Sequence, residues 1–127
     1  MRLAVTYDTR DFEPDPNCGV FADLAIDVAT AAVGSEYDYV RGLVTLRGFY
    51  SPFPAHADLV LAGRVLLHAQ SAGTPVFTMD VLPFVEDVRT GLGGHRTIRG
   101  YRQSRFVDHV MTAASGEIRW TFARTTI

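Results

Sequence analysis

The sequence predicts an all-β fold, an antiparallel meander of about six long strands. Three observations predict it. Apolar and polar residues alternate through most of the 127-residue chain, turn-forming clusters separate the alternating runs, and β-branched and aromatic residues gather inside several of them. No internal repeat, low-complexity tract or linker divides the chain, so residues 1–127 are expected to form one domain.

The first run is "RLAVTYDTR", in which Leu3, Val5 and Tyr7 share one face and Arg2, Thr6, Asp8 and Arg10 the other. The cluster "DFEPDPNCG" follows, with the prolines and glycine of a hairpin connection. The second run, "VFADLAIDVAT", sets Val20, Ala22, Leu24, Ile26 and Val28 against Phe21, Asp23, Ala25 and Asp27. In "YDYVRGLVTLRGFY", Val40, Val44 and Leu46 oppose Arg41, Thr45 and Arg47. In "DLVLAGRVLLHAQ", Leu59, Leu61, Val65 and Leu67 oppose Asp58, Arg64, His68 and Gln70. The short run "PVFTM" leads into an arginine-rich stretch. The last run, "VMTAASGEIRWTF", sets Ile118, Trp120 and Phe122 against Ser115, Glu117, Arg119 and Thr121. Residues 20–33 and 57–70 also place apolar residues at helical spacing, and their alanines and leucines favour helix. Strand is the expectation for both, because their neighbours alternate and the separators are hairpin turns.

The polar face is unusual. It repeats acids (Asp8, Asp23, Asp27, Asp58) beside a few arginines, while the apolar face ends in aromatics such as Tyr7, Tyr50, Trp120 and Phe122. Lipid on one side, a polar lumen on the other and aromatic girdles at the interfaces produce that pattern in a transmembrane β-barrel. A soluble sandwich alternates in the same way. The strands are also long, near the ~9–11 residues that cross a bilayer when tilted. The fold class expected is therefore a partial segment of a transmembrane β-barrel. Mean hydropathy of +0.08 excludes a helical membrane protein and a disordered chain alike. "MRLAVTYDTR" does not have the form of a signal peptide, and one cysteine, Cys18, excludes an internal disulfide.

The net charge of −2 hides an asymmetry. Residues 1–88 carry five arginines against twelve acids, and residues 89–127 carry seven arginines against Asp108 and Glu117. All the basic residues are arginines. The stretch "GLGGHRTIRGYRQSRF", residues 91–106, holds four glycines and four arginines without an acid. As a nucleotide cradle it lacks the lysine and the glycine spacing of either phosphate-binding motif. As an RNA-binding element, "RGY" opens like a stacking strand, and Arg96, Arg99, Arg102 and Arg105 beside Tyr101 and Phe106 suit single strands. That gives the alternative function, a small soluble β or α/β domain binding RNA through its basic C-terminal third. A third reading folds the stretch, as a long loop over 91–109, into an acid-lined lumen of the same protein. It alone accounts for the asymmetry of charge, and in it nucleic acid is not a partner.

Taken in order, Gly93-Gly94, Arg99-Gly100-Tyr101 and Glu117-Ile118-Arg119 resemble the C-terminal barrel region of the bacterial surface-antigen superfamily, the BamA/TamA-like outer-membrane barrel-assembly proteins. "TYDTRDFEPDPNCGVF" is similar to that family's periplasmic hairpin, so the resemblance runs from about Leu3 to Phe122. It implies an outer-membrane barrel that inserts or translocates other proteins without nucleotide, cofactor or covalent chemistry. Its partners would be outer-membrane lipid, substrate outer-membrane proteins and the remainder of the barrel. It also implies an extracellular loop held in the lumen by Arg99, Gly100 and Tyr101. The family's usual acceptor strand for that arginine is expected about where this chain stops, which leaves Asp8, Asp23, Asp27, Glu117 and Arg119 as candidate lumen charge partners. About six strands fall short of the roughly eight a membrane barrel needs, so the expectation is a fragment of a longer precursor.

Other sites are weaker. Asp11, Glu13, Asp15 and Asn17 have the alternation of a calcium loop, but Pro16 stands where glycine is needed and Ala22 where glutamate is needed. His56, His68, His95 and His109 show no metal-ligand spacing. Cys18 lies beside acids that blunt a nucleophile. No carboxylate pair is tied by spacing to catalysis, so neither enzyme activity nor a cofactor is expected.

Overall fold

A computed structural model describes residues 1–53, 58–83 and 91–121. Phe122 and His56, named above, lie outside the described residues. Five strands form one sheet in chain order: β1 Arg2–Asp8, β2 Gly19–Ala29, β3 Tyr39–Tyr50, β4 Asp58–Gln70 and β5 Val110–Thr121. Every neighbouring pair is antiparallel. The fold is thus the expected all-β meander, with five strands among the described residues. The sheet is open, with β1 and β5 at its two edges.

Both runs that carried a helical alternative are strands, since a strand puts all their apolar residues on one side. Only the end of the first departs, as a 3-10 turn at Ala31–Val33. "PVFTM" is not a strand. Val76–Met79 forms one helical turn, α1, beginning after Pro75. The reason is topological: β3 and β5 occupy both edges of β4. The segment joining β4 to β5 therefore cannot pair with β4, the strand it leaves. Its backbone is satisfied locally instead, as Thr78 N–H and Oγ1 both donate to the Pro75 carbonyl at 2.9 Å.

Register makes the two faces consistent across the whole sheet. Arg2, Asp27, Arg41 and Gln70 align in one row, and Val5, Leu24, Val44 and Leu67 in the neighbouring kind of row. The burial is inverted relative to a soluble sheet. Along β2, Phe21, Asp23, Ala25 and Asp27 are buried, whereas Val20, Leu24 and Ile26 are exposed. Leu3, Val5, Leu46, Val65, Leu67 and Ile118 are likewise exposed on the same face of their strands. On that outward face no strand carries a charged residue. Tyr7, Tyr50 and Trp120 lie on it at one end of the sheet, the end of the β1–β2 turn.

The core lies on the opposite, inward face. Leu43, Leu66 and Met111 from β3, β4 and β5 are buried against Leu82 and Leu92 from the β4–β5 connection, with Ile98 and Ala113 packed alongside. The connection supplies the apolar groups that the sheet needs there.

The β1–β2 turn is organised by one carboxylate. Asp11 Oδ1 accepts the backbone N–H groups of Phe12 (3.0 Å), Asn17 (2.9 Å) and Cys18 (3.2 Å). These donors, Cys18 foremost, hold the Asp11 pKa below the ordinary aspartate value of 3.8. A folded pKa below the unfolded one means the carboxylate's contribution is full above the unfolded value and is lost as pH falls through the folded one. Protection of the Asn17 and Cys18 amides, relative to their intrinsic exchange rates, should therefore fall once the pH drops below the ordinary aspartate range, and by more than in Asp11→Ala. Equal pH profiles for both proteins would show that Asp11 does not order the turn.

Candidate functional site

The β4–β5 connection carries the glycine- and arginine-rich stretch, and its local fold begins with backbone chemistry. Gly93 and Gly94 have φ of +115° and +90°, where a side chain is strained. A Cβ at Gly93 would also collide with the Arg102 carbonyl. These two residues turn the chain so that Leu92 bridges Phe106 and Gly94 bridges Ile98. Thr97 fastens the turn from within. Its buried hydroxyl accepts Gly93 N–H at 2.8 Å, and its proton lies between the carbonyls of Gly93 (2.8 Å) and Gly91 (3.1 Å).

Wall residues hold this folded loop against the inward face. Arg64 on β4 donates from Nη1 to the Arg96 carbonyl at 2.7 Å and from Nη2 to the Thr97 carbonyl. Arg41 on β3 donates from Nη1 to the carbonyls of Thr78 and Val81, both at 2.9 Å. Gln70 Nε2 donates to the Asp108 carbonyl at 2.8 Å. Three inward-facing side chains thus clamp the connection near its start, its middle and its end, above the Leu43–Leu66–Met111 core. Charge-assisted donation from arginine makes two of these clamps strong.

The residues singled out from sequence fall in three places: the turn of the loop, its tip and the strands. Gly93 and Gly94 form the tight turn. Arg99, Gly100 and Tyr101 lie at its exposed tip, where the Tyr101 carbonyl accepts Gly94 N–H at 3.0 Å. The Tyr101 ring meets Phe106 edge-on with centroids 5.1 Å apart. Among the five candidate charge partners, Asp27 is the most engaged. It is buried between Arg2 (2.7 and 2.9 Å) and Arg41 (3.1 and 2.9 Å), tying β1, β2 and β3. Asp23 is buried and accepts from Thr6 at 3.1 Å. Asp8 holds Arg10 through contacts of 2.6 to 3.1 Å. Glu117 accepts from Arg119 Nε at 3.0 Å, and Arg119 Nη1 reaches Asp15 of the β1–β2 turn at 2.6 Å.

Arg41, Arg64, Gln70 and Thr97 were not singled out from sequence as holding the loop. The only signal available was their position: the first three sit on the polar face of a strand, and Thr97 interrupts a glycine–arginine stretch. Their partners are backbone carbonyls, which leave no mark in a sequence.

A meander with an uncharged outward face, its charges turned inward and a long connection seated on the inward side is the wall of a membrane β-barrel. The described helices include none long and apolar enough to cross a membrane, so any crossing is made by strands. The chain belongs to the Omp85 superfamily, an outer-membrane β-barrel family, whose domain matches residues 1–125. No curated protein and no solved structure matches the chain.

Proposed function

We propose that this chain is part of an outer-membrane β-barrel of the type that inserts or translocates other proteins. Outer-membrane lipid covers its outward face, and the Arg99-Gly100-Tyr101 loop is folded into the lumen. The observation that carries this is the outward face itself, which holds exposed Leu, Ile, Val, Tyr and Trp side chains without a charge across five strands. Water would not favour so much apolar surface, whereas lipid does. The two strand edges, β1 and β5, then require further strands to close the barrel, because an open edge in hydrocarbon leaves backbone groups unsatisfied. The role needs no catalytic step: guiding or inserting a polypeptide is conformational work. Outer-membrane client proteins and the strands that complete the barrel are its partners.

Cell fractionation tests it. An antibody to residues 91–106 should detect an outer-membrane band whose mobility shifts on heating, and a soluble, heat-insensitive band would refute it. Within that barrel, Arg99→Ala should make the loop more sensitive to added protease, whereas Leu61→Ala on the lipid face should leave it unchanged. Equal loop cleavage in Arg99→Ala and the parent protein would remove Arg99 from the proposed anchor.

A further inference from the structure

Residues 9–18, between β1 and β2, double back over the inward face of the sheet. Pro14 and Pro16 stand with Phe49 on β3, Ala62 on β4 and Glu117 on β5 around a cleft of about 380 Å³. Pro16 is buried there. The β4–β5 connection leaves and rejoins the sheet at the opposite end, yet Arg96 and Arg99 at its tip line the same cleft. Turn and loop therefore approach the cleft from the two ends of the strands.

The turn is also tied across the sheet. Arg119 Nη1 on β5 donates to Asp15 at 2.6 Å. Two strands, β3 and β4, separate β2 from β5, so this contact spans the inward face instead of following the ladder. Inside the turn, Asp11 gathers the N–H groups of Phe12, Asn17 and Cys18. At its base, Thr9 Oγ1 donates to the Val20 carbonyl at 3.1 Å and accepts Val20 N–H at 3.0 Å. The segment is thus a preformed body on a short base, with its far side resting on β5.

The wall holds the loop and the turn with different strength. Arg41 and Asp27 are both enclosed, so parting them strands a buried charge. Asp15 is 76% exposed and Arg119 34%. When these two part, Asp15 returns to water, while Arg119 keeps Glu117 at 3.0 Å and the Phe49 ring at 5.8 Å. An exposed pair of this kind stabilises little and is screened by salt. The loop is fixed, and the turn is releasable.

We propose that the β1–β2 turn is a strap that closes one end of the lumen and is latched reversibly by the Asp15–Arg119 pair. The proposal rests on the inward face being a lumen, and it adds how the end away from the loop's entry is opened.

Thiol labelling in the cleft tests it, in outer membranes from cells that make the protein, so that whatever completes the barrel is in place. Ala62→Cys in a Cys18→Ser background puts the thiol beneath the turn, because Ala62 is the register partner of both Phe49 and Glu117. A bulky polar maleimide should label it slowly. Asp15→Ala should speed labelling roughly twofold to fivefold, and about 1 M salt should do the same without that change but not with it. Asp15→Arg should speed it further, and adding Arg119→Glu should restore slow labelling. A thiol at Glu36→Cys, in the exposed β2–β3 turn at the other end of the sheet, should label at one rate throughout. Heat-dependent mobility is read on every sample. One labelling rate at Ala62→Cys in all variants, in protein that shifts on heating, would overturn the strap and leave the barrel standing. Faster labelling that the double exchange fails to restore would overturn the latch. A parent protein that does not shift on heating would sink the barrel reading itself.

Discussion

Replacing Leu24 with arginine should destabilise the folded barrel by about 2–4 kcal/mol, the cost of a cationic side chain on the lipid face near the bilayer midplane. Leu24 is central in β2, points outward, and lies between Val5 on β1 and Val44 on β3 in register. The guanidinium would have to snorkel along the strand to reach an interface or remain in hydrocarbon. Urea unfolding in phospholipid vesicles measures the difference. The same exchange on a water-exposed sheet face costs within about 0.5 kcal/mol, so a near-zero result would place the outward face in water.

The second large effect is expected at Arg41. Its side chain is buried, its Nε and Nη2 hold Asp27, and its Nη1 holds the carbonyls of Thr78 and Val81. Arg41→Ala leaves a buried carboxylate and two carbonyls short of a donor. Breaking a buried ion pair costs ~3–5 kcal/mol, because the remaining charge stays desolvated. Asp27 retains Arg2, so the lower end, about 3 kcal/mol, is expected. Arg41→Lys should fall between, since an ammonium keeps the charge without the planar fork that reaches carboxylate and carbonyls together. Protease cleavage around Thr78 in Arg41→Ala should rise with the loss of stability. An alanine variant as stable as the parent would mean that the Asp27–Arg41 bridge does not hold the connection to the wall.

Much of this fold was legible because the sheet obeys a period of two and its register preserves that period across strands. Ala22, Leu24 and Ile26 point to one side wherever β2 pairs, so their face follows from the sequence alone. "PVFTM" misled for the converse reason. Its residues favour strand, but both sides of the preceding strand β4 were taken by β3 and β5, and which neighbours a strand has is a property of topology.

The loop was legible only in outline. Gly93 and Gly94 stood out only as part of the resemblance, and the charge asymmetry pointed to arginines meeting acids. Yet Asp27 is held by Arg2 and Arg41 from its own sheet, and Asp8 by Arg10 of the adjoining turn. The charge imbalance along the chain therefore overstated how many acids face the loop. What seats the loop is the reverse polarity: wall arginines donating to loop carbonyls, with Leu82 and Leu92 filling the space beneath.

The central claim is that one face of this sheet meets lipid and the other does not. Its most direct test is a spin-label scan of residues 41–46 on β3, each introduced as a single cysteine in a Cys18→Ser background and folded into vesicles. Labels at 42, 44 and 46 should be accessible to oxygen dissolved in the bilayer and shielded from a water-soluble nickel reagent, while labels at 41, 43 and 45 should lose that oxygen accessibility. An alternation of opposite phase, or none at all along the strand, would contradict the membrane barrel.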